Sequence, residues 1–276
     1  MDIAKKLLID TDLIRRVLTN FIREEVGKFG FRRAVVGLSG GIDSAVSCVL
    51  AAEALGAENV LAVRMPYRTS SPDSLSDAQA LIDQLGVTSE TVEITPMVEP
   101  LFALYPDMTP LRRGNVMARA RMIVLYDRSA AWRALVVGTS NKTEILLGYG
   151  TLFGDMASAA NPLGDLYKTQ VRQLAEALHV PQSIRGKAPS ADLFAGQTDE
   201  GDLGLTYAEV DRLLYLLVDE RYRPEDAVAA GFSEAMVERV RKLVRDNHFK
   251  RLPPIIAKVS GRTIGHDFRY LRDWGR

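Results

Sequence analysis

The sequence predicts an α/β fold, a mostly parallel sheet with helices on both faces, followed by a helical C-terminal extension. Three observations predict it. Short apolar runs alternate with longer stretches of helical periodicity through the first half of the chain, the order that parallel strands joined by crossover helices require. A glycine-rich turn lies between the first apolar run and the next helix, where an open parallel sheet gathers its ligands. The last third carries only helical periodicity, so the sheet is complete before it begins.

The elements follow in order. Residues 11–29 space Leu13, Ile14, Val17, Leu18, Phe21, Ile22 and Val26 as one face of an amphipathic helix, with Arg15, Arg16, Arg23, Glu24 and Glu25 between them. Ala34 to Leu38 is a short apolar run fit for a strand buried on both faces. A helix is expected from Asp43 to Leu55, a strand at Val60 to Val63, a helix from Asp73 to Leu85 and a strand at Glu90 to Ile94. A long helix from Arg113 to Ala131 precedes a fourth strand at Leu135 to Val137. Residues 138–166 and 183–203 are irregular and polar, as functional loops are. Helices resume at Lys168 to Leu178, Tyr207 to Val218 and Glu234 to Asn247. With no linker and no repeat, the expectation is one domain over residues 1–276. About 30–180 would form the nucleotide-binding core, and about 181–276 a mobile loop and helical part.

Composition narrows the function. Among 276 residues, 35 Lys and Arg balance 35 Asp and Glu, so no net field collects nucleic acid or an anionic membrane, and neither is expected as a partner. The single cysteine, Cys48, allows no internal disulfide and no thiolate metal cluster, which fits a reducing, cytoplasmic setting. Its place inside a helix makes it a packing residue, and His179, His248 and His266 lack ligand spacing. No apolar stretch approaches the roughly 18 residues of a membrane span.

The segment Gly37-Leu38-Ser39-Gly40-Gly41-Ile42-Asp43-Ser44 is the most informative. Gly40 and Gly41 permit positive φ and close approach of an anion, free amides and the helix dipole supply the field, and Ser39 and Ser44 add hydroxyls. Asp43 would repel phosphate unless a divalent cation intervened, which implies magnesium. The spacing is that of neither the lysine-bearing phosphate loop nor the dinucleotide fingerprint. A plain strand-to-helix turn with a serine cap is the competing reading.

The Ser39 to Ser44 string resembles the signature of ATP pyrophosphatases, which split ATP between the α and β phosphates. Further segments resemble the NAD synthetase family in particular: Asn115 to Met122, Gly138 to Glu144, Gly148 to Asp155, Asn161 to Thr169, Pro189 to Leu193, Gln197 to Glu200 and Lys250 to Pro254. The resemblance spans nearly the whole chain in the right order. It implies an adenine nucleotide alpha hydrolase-like, Rossmann-like fold and a ligase forming a carbon–nitrogen bond. Deamido-NAD would be adenylated by ATP and then amidated to NAD by ammonia, releasing AMP and pyrophosphate.

Residue roles carried over from the family follow the motifs. Asp43 and Glu144 would ligate magnesium, and Asp43 and Lys168 would be catalytic. Residues 37–44, Arg64, Thr139, Lys168 and Ser190 would contact ATP, and Asn115, Arg119, Phe249 and Lys250 would meet deamido-NAD. Leu152 and Ala159 depart from the pattern, standing where a lysine and an aspartate can contact the dinucleotide. Bland readings stand beside these. Glu144 follows Asn141 at capping-box spacing, Arg119 shares its helix with other arginines, and Lys168 opens a helix, where the dipole disfavours a cation unless an anion lies near.

Glutamine-using relatives carry an amino-terminal amidase domain with a cysteine nucleophile. Here the phosphate loop begins by residue 37 and Cys48 is misplaced for that role, so ammonia is the expected nitrogen source. The family implies a homodimer, for which Phe21, Ile22, Val26 and Phe29 offer a seam if they are not core. The loops Tyr67 to Ser74 and Ser190 to Gly204 are expected to order only with ligands. An RNA-acting pyrophosphatase would want a basic groove, and a nucleotide sensor would not need the lysine and the metal carboxylates.

Overall fold

The computed structural model describes residues 3–28, 30–188, 201 and 204–264. Four strands form one parallel sheet in the order β3-β2-β1-β4. They are β1 (Ala34–Gly37), β2 (Val60–Arg64), β3 (Thr88–Thr91) and β4 (Leu135–Val137). In register, Val35 lies beside Leu61 on one side and Val136 on the other. Because side chains alternate along a strand, the apolar run of β1 serves two cores at once.

Ala34 and Val36 face a core built with α2 (Thr11–Gly27), α3 (Ile42–Leu55), α4 (Pro72–Leu85) and α8 (Lys168–Ala177), including Ile22, Val26, Val46, Leu50, Leu81 and Leu174. Val35 faces the opposite core with Ile94, Phe102, Met117 and Val124, carried by α5 (Thr95–Leu104) and α6 (Pro110–Trp132) or the chain just before them. The expected two-faced covering of the sheet is thus present.

A third apolar cluster, outside the sheet, assembles the C-terminal helices. Tyr207, Val210, Leu213 and Leu214 of α10 (Tyr207–Leu214) pack with Ala227 of α11 (Pro224–Ala229) and with Val237 and Val240 of α12 (Glu234–Asp246). Leu147 of α7 (Lys142–Leu147) and Leu7, just after α1 (Ile3–Lys6), join them. Each such buried side chain contributes about 1.5–3 kcal/mol. That cluster presses α10 against α7 and α8, the two helices that open at the site described below.

Several boundaries differ from expectation. β3 starts two residues early, and Val92 and Ile94 continue its pairing only through bonds to the Arg64 and Pro66 carbonyls. This edge strand is mostly exposed, so its own apolar pattern is weak. Helix α5, over a stretch to which the sequence assigned no element, contains Pro96 and Pro100. Pro96 sits in the first turn, where a missing N–H costs little, and Val98 and Phe102 bury one face. The expected helix over 207–218 is α-helical to Leu214 and then widens to a π-turn over Tyr215–Asp219. Two short helices, α7 and α9 (Gln182–Arg185), lie in stretches expected to be irregular.

The seam proposed on α2 is corrected. Ile22 and Val26 are fully buried in the core of this chain and Phe21 packs against it, while Phe29 lies outside the described residues. Periodicity finds an apolar stripe but does not say what covers it. The loop from Tyr67 to Ser74, expected to order only with ligands, carries hydrogen bonds to its own chain. The Tyr67 hydroxyl donates to Glu99, the Arg68 amide donates to Thr95 Oγ1 at 2.9 Å, and the Ser70 amide donates to the Tyr67 carbonyl at 2.8 Å. The other loop expected to order, Ser190 to Gly204, lies mostly outside the described residues.

Cys48 is fully buried on α3, and burial pushes its thiol up to about 12. The folded protein is therefore expected to consume no thiol reagent at pH 8 and to titrate one thiol in denaturant. Rapid labelling of native protein would contradict this packing.

Candidate active site

Chain order around the sheet decides where a ligand can sit. From β1 the chain moves outward to β2 and β3, then returns to place β4 on the other side of β1. The connections therefore diverge between β1 and β4, and a crevice opens at their carboxyl ends. The β1 end supplies residues 37–44 and the β4 end supplies Gly138 to Glu144.

The loop after β1 is bonded to itself. Ser44 Oγ accepts from the Ser39 amide at 3.2 Å, lies 3.1 Å from Ser39 Oγ and donates to the Gly41 carbonyl at 2.9 Å. The Gly41 amide donates to Ser39 Oγ at 3.2 Å. Leu38 is buried and its amide bonds to the Val63 carbonyl, and Ile42 opens α3. Gly40 has φ +81°, and a Cβ there would lie 2.2 Å from the Ser74 carbonyl oxygen, so only glycine fits. Gly41, expected to share that conformation, is instead extended at φ −90° as the cap residue of α3. A Cβ on Gly37 would crowd the Met65 methyl at 3.2 Å.

At the mouth of this crevice stands Lys168, the first residue of α8 and only 2% exposed. Its Nζ donates to Asp43 Oδ2 at 2.5 Å and to Glu144 Oε1 at 3.1 Å. Asn141, fully buried, donates from Nδ2 to Asp43 Oδ1 at 2.9 Å. The Asn141 and Glu144 pair is also a capping box, the Glu144 amide donating to Asn141 Oδ1 at 3.0 Å and the Asn141 amide to Glu144 Oε2 at 3.2 Å. The capping reading of Glu144 therefore holds, and its other oxygen faces Lys168. The anion that the position of Lys168 called for is a pair of carboxylates, and the lysine is buried between them. The Asp43 side chain is itself only 16% exposed.

Two carboxylates converging on one ammonium leave an excess of negative charge that opens to solvent. Magnesium takes one or two carboxylates and completes its shell with phosphate and water, and this donor set fits that habit. Among the described residues no cluster of three or more His, Cys, Asp or Glu side chains forms a metal cage.

The remaining expected residues separate into groups. Arg64 ends β2 and its Nη1 donates to Gln79 Oε1 at 2.5 Å. Thr139 is half-buried just past β4, beside Gly138, whose carbonyl accepts from Ser47 Oγ at 3.0 Å. Ser190 lies outside the described residues. Asn115, Arg119 and Lys250 converge on the loop over 148–156. Thr151 Oγ1 donates to Asn115 Oδ1 at 2.7 Å, and Arg119 Nη2 to the Leu152 carbonyl at 3.3 Å. Lys250 Nζ donates to the carbonyls of Gly148 at 2.7 Å and Gly150 at 2.9 Å, and burial lowers its pKa. Leu152 thus meets Arg119 through its backbone, and Ala159 is exposed with its amide on the Val136 carbonyl. Phe249 is 57% exposed.

Sequence reasoning missed several neighbours. Asn141 was noticed as a cap but not as the partner of Asp43. Lys187 Nζ donates to Ser74 Oγ at 2.8 Å, bracing the segment against which Gly40 packs, and nothing in its local sequence signals this. Thr143 and Asp211, both fully buried, stand behind Lys168. Asp211 had a readable signal: with Tyr207, Val210 and Leu214 it falls at i, i+3, i+4 and i+7, on the apolar face of its helix.

A family model described as NAD synthase matches residues 14–254. The NH(3)-dependent NAD(+) synthetase of Trichlorobacter lovleyi is 59% identical over 271 residues, covering 98% of this chain and 99% of that one. The enzyme of the same name from Chlorobaculum parvum is 57% identical over 268 residues, 97% of each chain. Among solved structures, the NH3-dependent NAD synthetase from Campylobacter jejuni in complex with the nitrate ion superposes with TM-score 0.78 at 33% identity, over 91% of this chain and 100% of that one. The NMN synthetase from Francisella tularensis gives TM-score 0.80 at 33% identity, over 91% and 99%. With the crevice, its lysine and its carboxylates in place and the match running through nearly all of its length, the chain belongs to the NAD synthase family.

Proposed function

We propose that this chain amidates deamido-NAD to NAD with ATP and ammonia, through an adenylated carboxylate. The observation that carries the reading is the meeting of Lys168, Asp43 and Glu144 at the β1 and β4 ends, beside a loop shaped by Gly40. Loop amides and the start of α3 would hold the triphosphate. The nicotinate carboxylate oxygen bonds to the α-phosphorus while the bond to the β-phosphate oxygen breaks, and pyrophosphate leaves with that electron pair. Charge grows on the departing oxygens, and Lys168 would stabilise it there. Ammonia then attacks the carboxyl carbon, AMP departs, and the nitrogen loses a proton. Asp43 and Glu144 would hold magnesium, which supplies charge neutralisation on the phosphates when bound.

Asn115, Arg119, Phe249 and Lys250, gathered about the loop over 148–156, are proposed to meet deamido-NAD; Arg64, Thr139 and Ser190 are assigned to ATP. A second reading, in which the substrate is nicotinate mononucleotide, takes its support from the Francisella neighbour named an NMN synthetase. Relatives named NAD synthetases at 57–59% identity weigh toward the dinucleotide. We place the reaction in the cytoplasm, in one domain. We also propose a homodimer. Leu13 and Val17 on α2, and Ile123 and Tyr126 on α6, are exposed apolar pairs one turn apart, and they replace the buried seam expected from sequence.

Incubation with ATP, magnesium, ammonium and deamido-NAD is expected to yield NAD, AMP and pyrophosphate in equal amounts. ADP as the product would overturn the reading, and faster turnover of nicotinate mononucleotide would favour the second one. Asp43→Asn is expected to lower kcat by about two to three orders of magnitude with an unchanged far-UV spectrum; near-normal turnover would remove Asp43 from its role. By light scattering the chain should run at twice its 30.5 kDa, and Ile123→Glu should shift it to monomer. A monomeric parent would end the dimer proposal.

A further inference from the structure

Helix α10 lies outside the sheet and its loops, yet it touches both ends of Lys168. Asp211 is fully buried, and its two oxygens are taken by Thr143 Oγ1 at 2.6 Å and the Thr169 amide at 2.7 Å. The Thr143 hydroxyl in turn accepts from the Lys168 amide at 3.0 Å. The first two amides of α8, which no helix can satisfy internally, are therefore both tied to one remote carboxylate, directly or through Thr143. One turn earlier on α10, the Tyr207 ring lies 5.0 Å from Lys168 Nζ, within cation–π range.

We infer that Asp211 is a positioning residue for Lys168, acting through Thr143 and the first turn of α8 to fix where the ammonium is presented. The inference deepens the proposed reaction and rests on it. Burial raises the pKa of the Asp211 carboxyl and the bonds from Thr143 and Thr169 oppose that rise, so the site keeps a costly group where an apolar side chain would pack more cheaply. A carboxylate at this place also offsets the penalty of a lysine at the positive end of a helix. The bond chain passes through α7 as well, because Thr143 and Glu144 are successive residues. One hydroxyl thus sets the register between the helix bearing Lys168 and the helix bearing a carboxylate that holds its ammonium. Asp211 touches no reacting atom and acts only through these neighbours.

In the full chain, Asp211→Asn retains shape but must present an NH2 to one of its two donors. It is expected to lower kcat about ten- to a hundredfold, leaving the KM for deamido-NAD within about twofold. A double-mutant cycle with Lys168→Met separates positioning from bulk stability. If Asp211 acts through Lys168, Asp211→Asn costs little more once the lysine is gone; equal losses in both backgrounds would overturn the inference. The same cycle is read on the affinity for ATP with magnesium, which needs no turnover. An inactive parent that binds ATP would therefore count against the reaction and still test the positioning. Should Asp211→Asn not fold, Thr143→Val is expected to reproduce the loss and Thr143→Ser to recover most of it. Equal activity of those two variants would also overturn the inference.

Discussion

Burying the ammonium of Lys168 is the constraint around which the rest is arranged. Removing such a charge from water costs several kcal/mol even after relaxation, so partners must be waiting in fixed places. They come from elements far apart in sequence: Asp43 from the start of α3, Glu144 from the start of α7, and Tyr207 from α10. Each of these elements must be in register before the lysine can be accommodated. The apolar cluster under α10 and both cores of the sheet provide the burial that offsets the cost.

The sheet order explains why those elements meet. A parallel strand delivers its following loop at the carboxyl end, and the reversal between β1 and β4 leaves two adjacent loops with no crossover above them. One loop is shaped by Gly40, whose missing Cβ lets the backbone lie against Ser74, and Lys187 anchors Ser74 from the far side. The other contains a buried asparagine, Asn141, that caps α7 while holding the second oxygen of Asp43. Glycine at one strand tip and asparagine at the next do unlike jobs, close approach and cross-linking, and both fix where Asp43 points.

Much of this was legible in the residues, and the illegible parts share a cause. Apolar runs gave β1, β2 and β4 because those strands are buried, whereas β3 is an exposed edge whose register depends on partners at Arg64 and Pro66. The loop over 37–44 was readable because glycine, serine and aspartate at a strand tip have a local meaning, although which glycine takes positive φ was settled by the approach of Ser74. Asp43, Glu144 and Lys168 were found by motif, but the contact of Lys168 with Asp43 joins residues 125 apart in sequence and that with Glu144 residues 24 apart. For Phe21, Ile22 and Val26 the stripe was right and its covering wrong, since a helix carries the same pattern against its own core or another chain. Asp211 marks the opposite case: an acid on an apolar face announces a buried partner without saying which one.

Charge is unevenly committed within the cluster, and that has a consequence for order of events. Asp43 and Glu144 serve Lys168 at their present distances, and in the proposed reaction the same two carboxylates would be shared with a second cation arriving with the triphosphate. Sharing weakens their hold on the ammonium at the moment when phosphate oxygens begin to take their place. Something unshared must then keep the lysine from following its partners. Asp211 meets that need, because both its oxygens are spent on Thr143 and on the first turn of α8, away from the phosphates. The ammonium can exchange carboxylate for phosphate while its backbone stays still, so little reorganisation remains for the transition state.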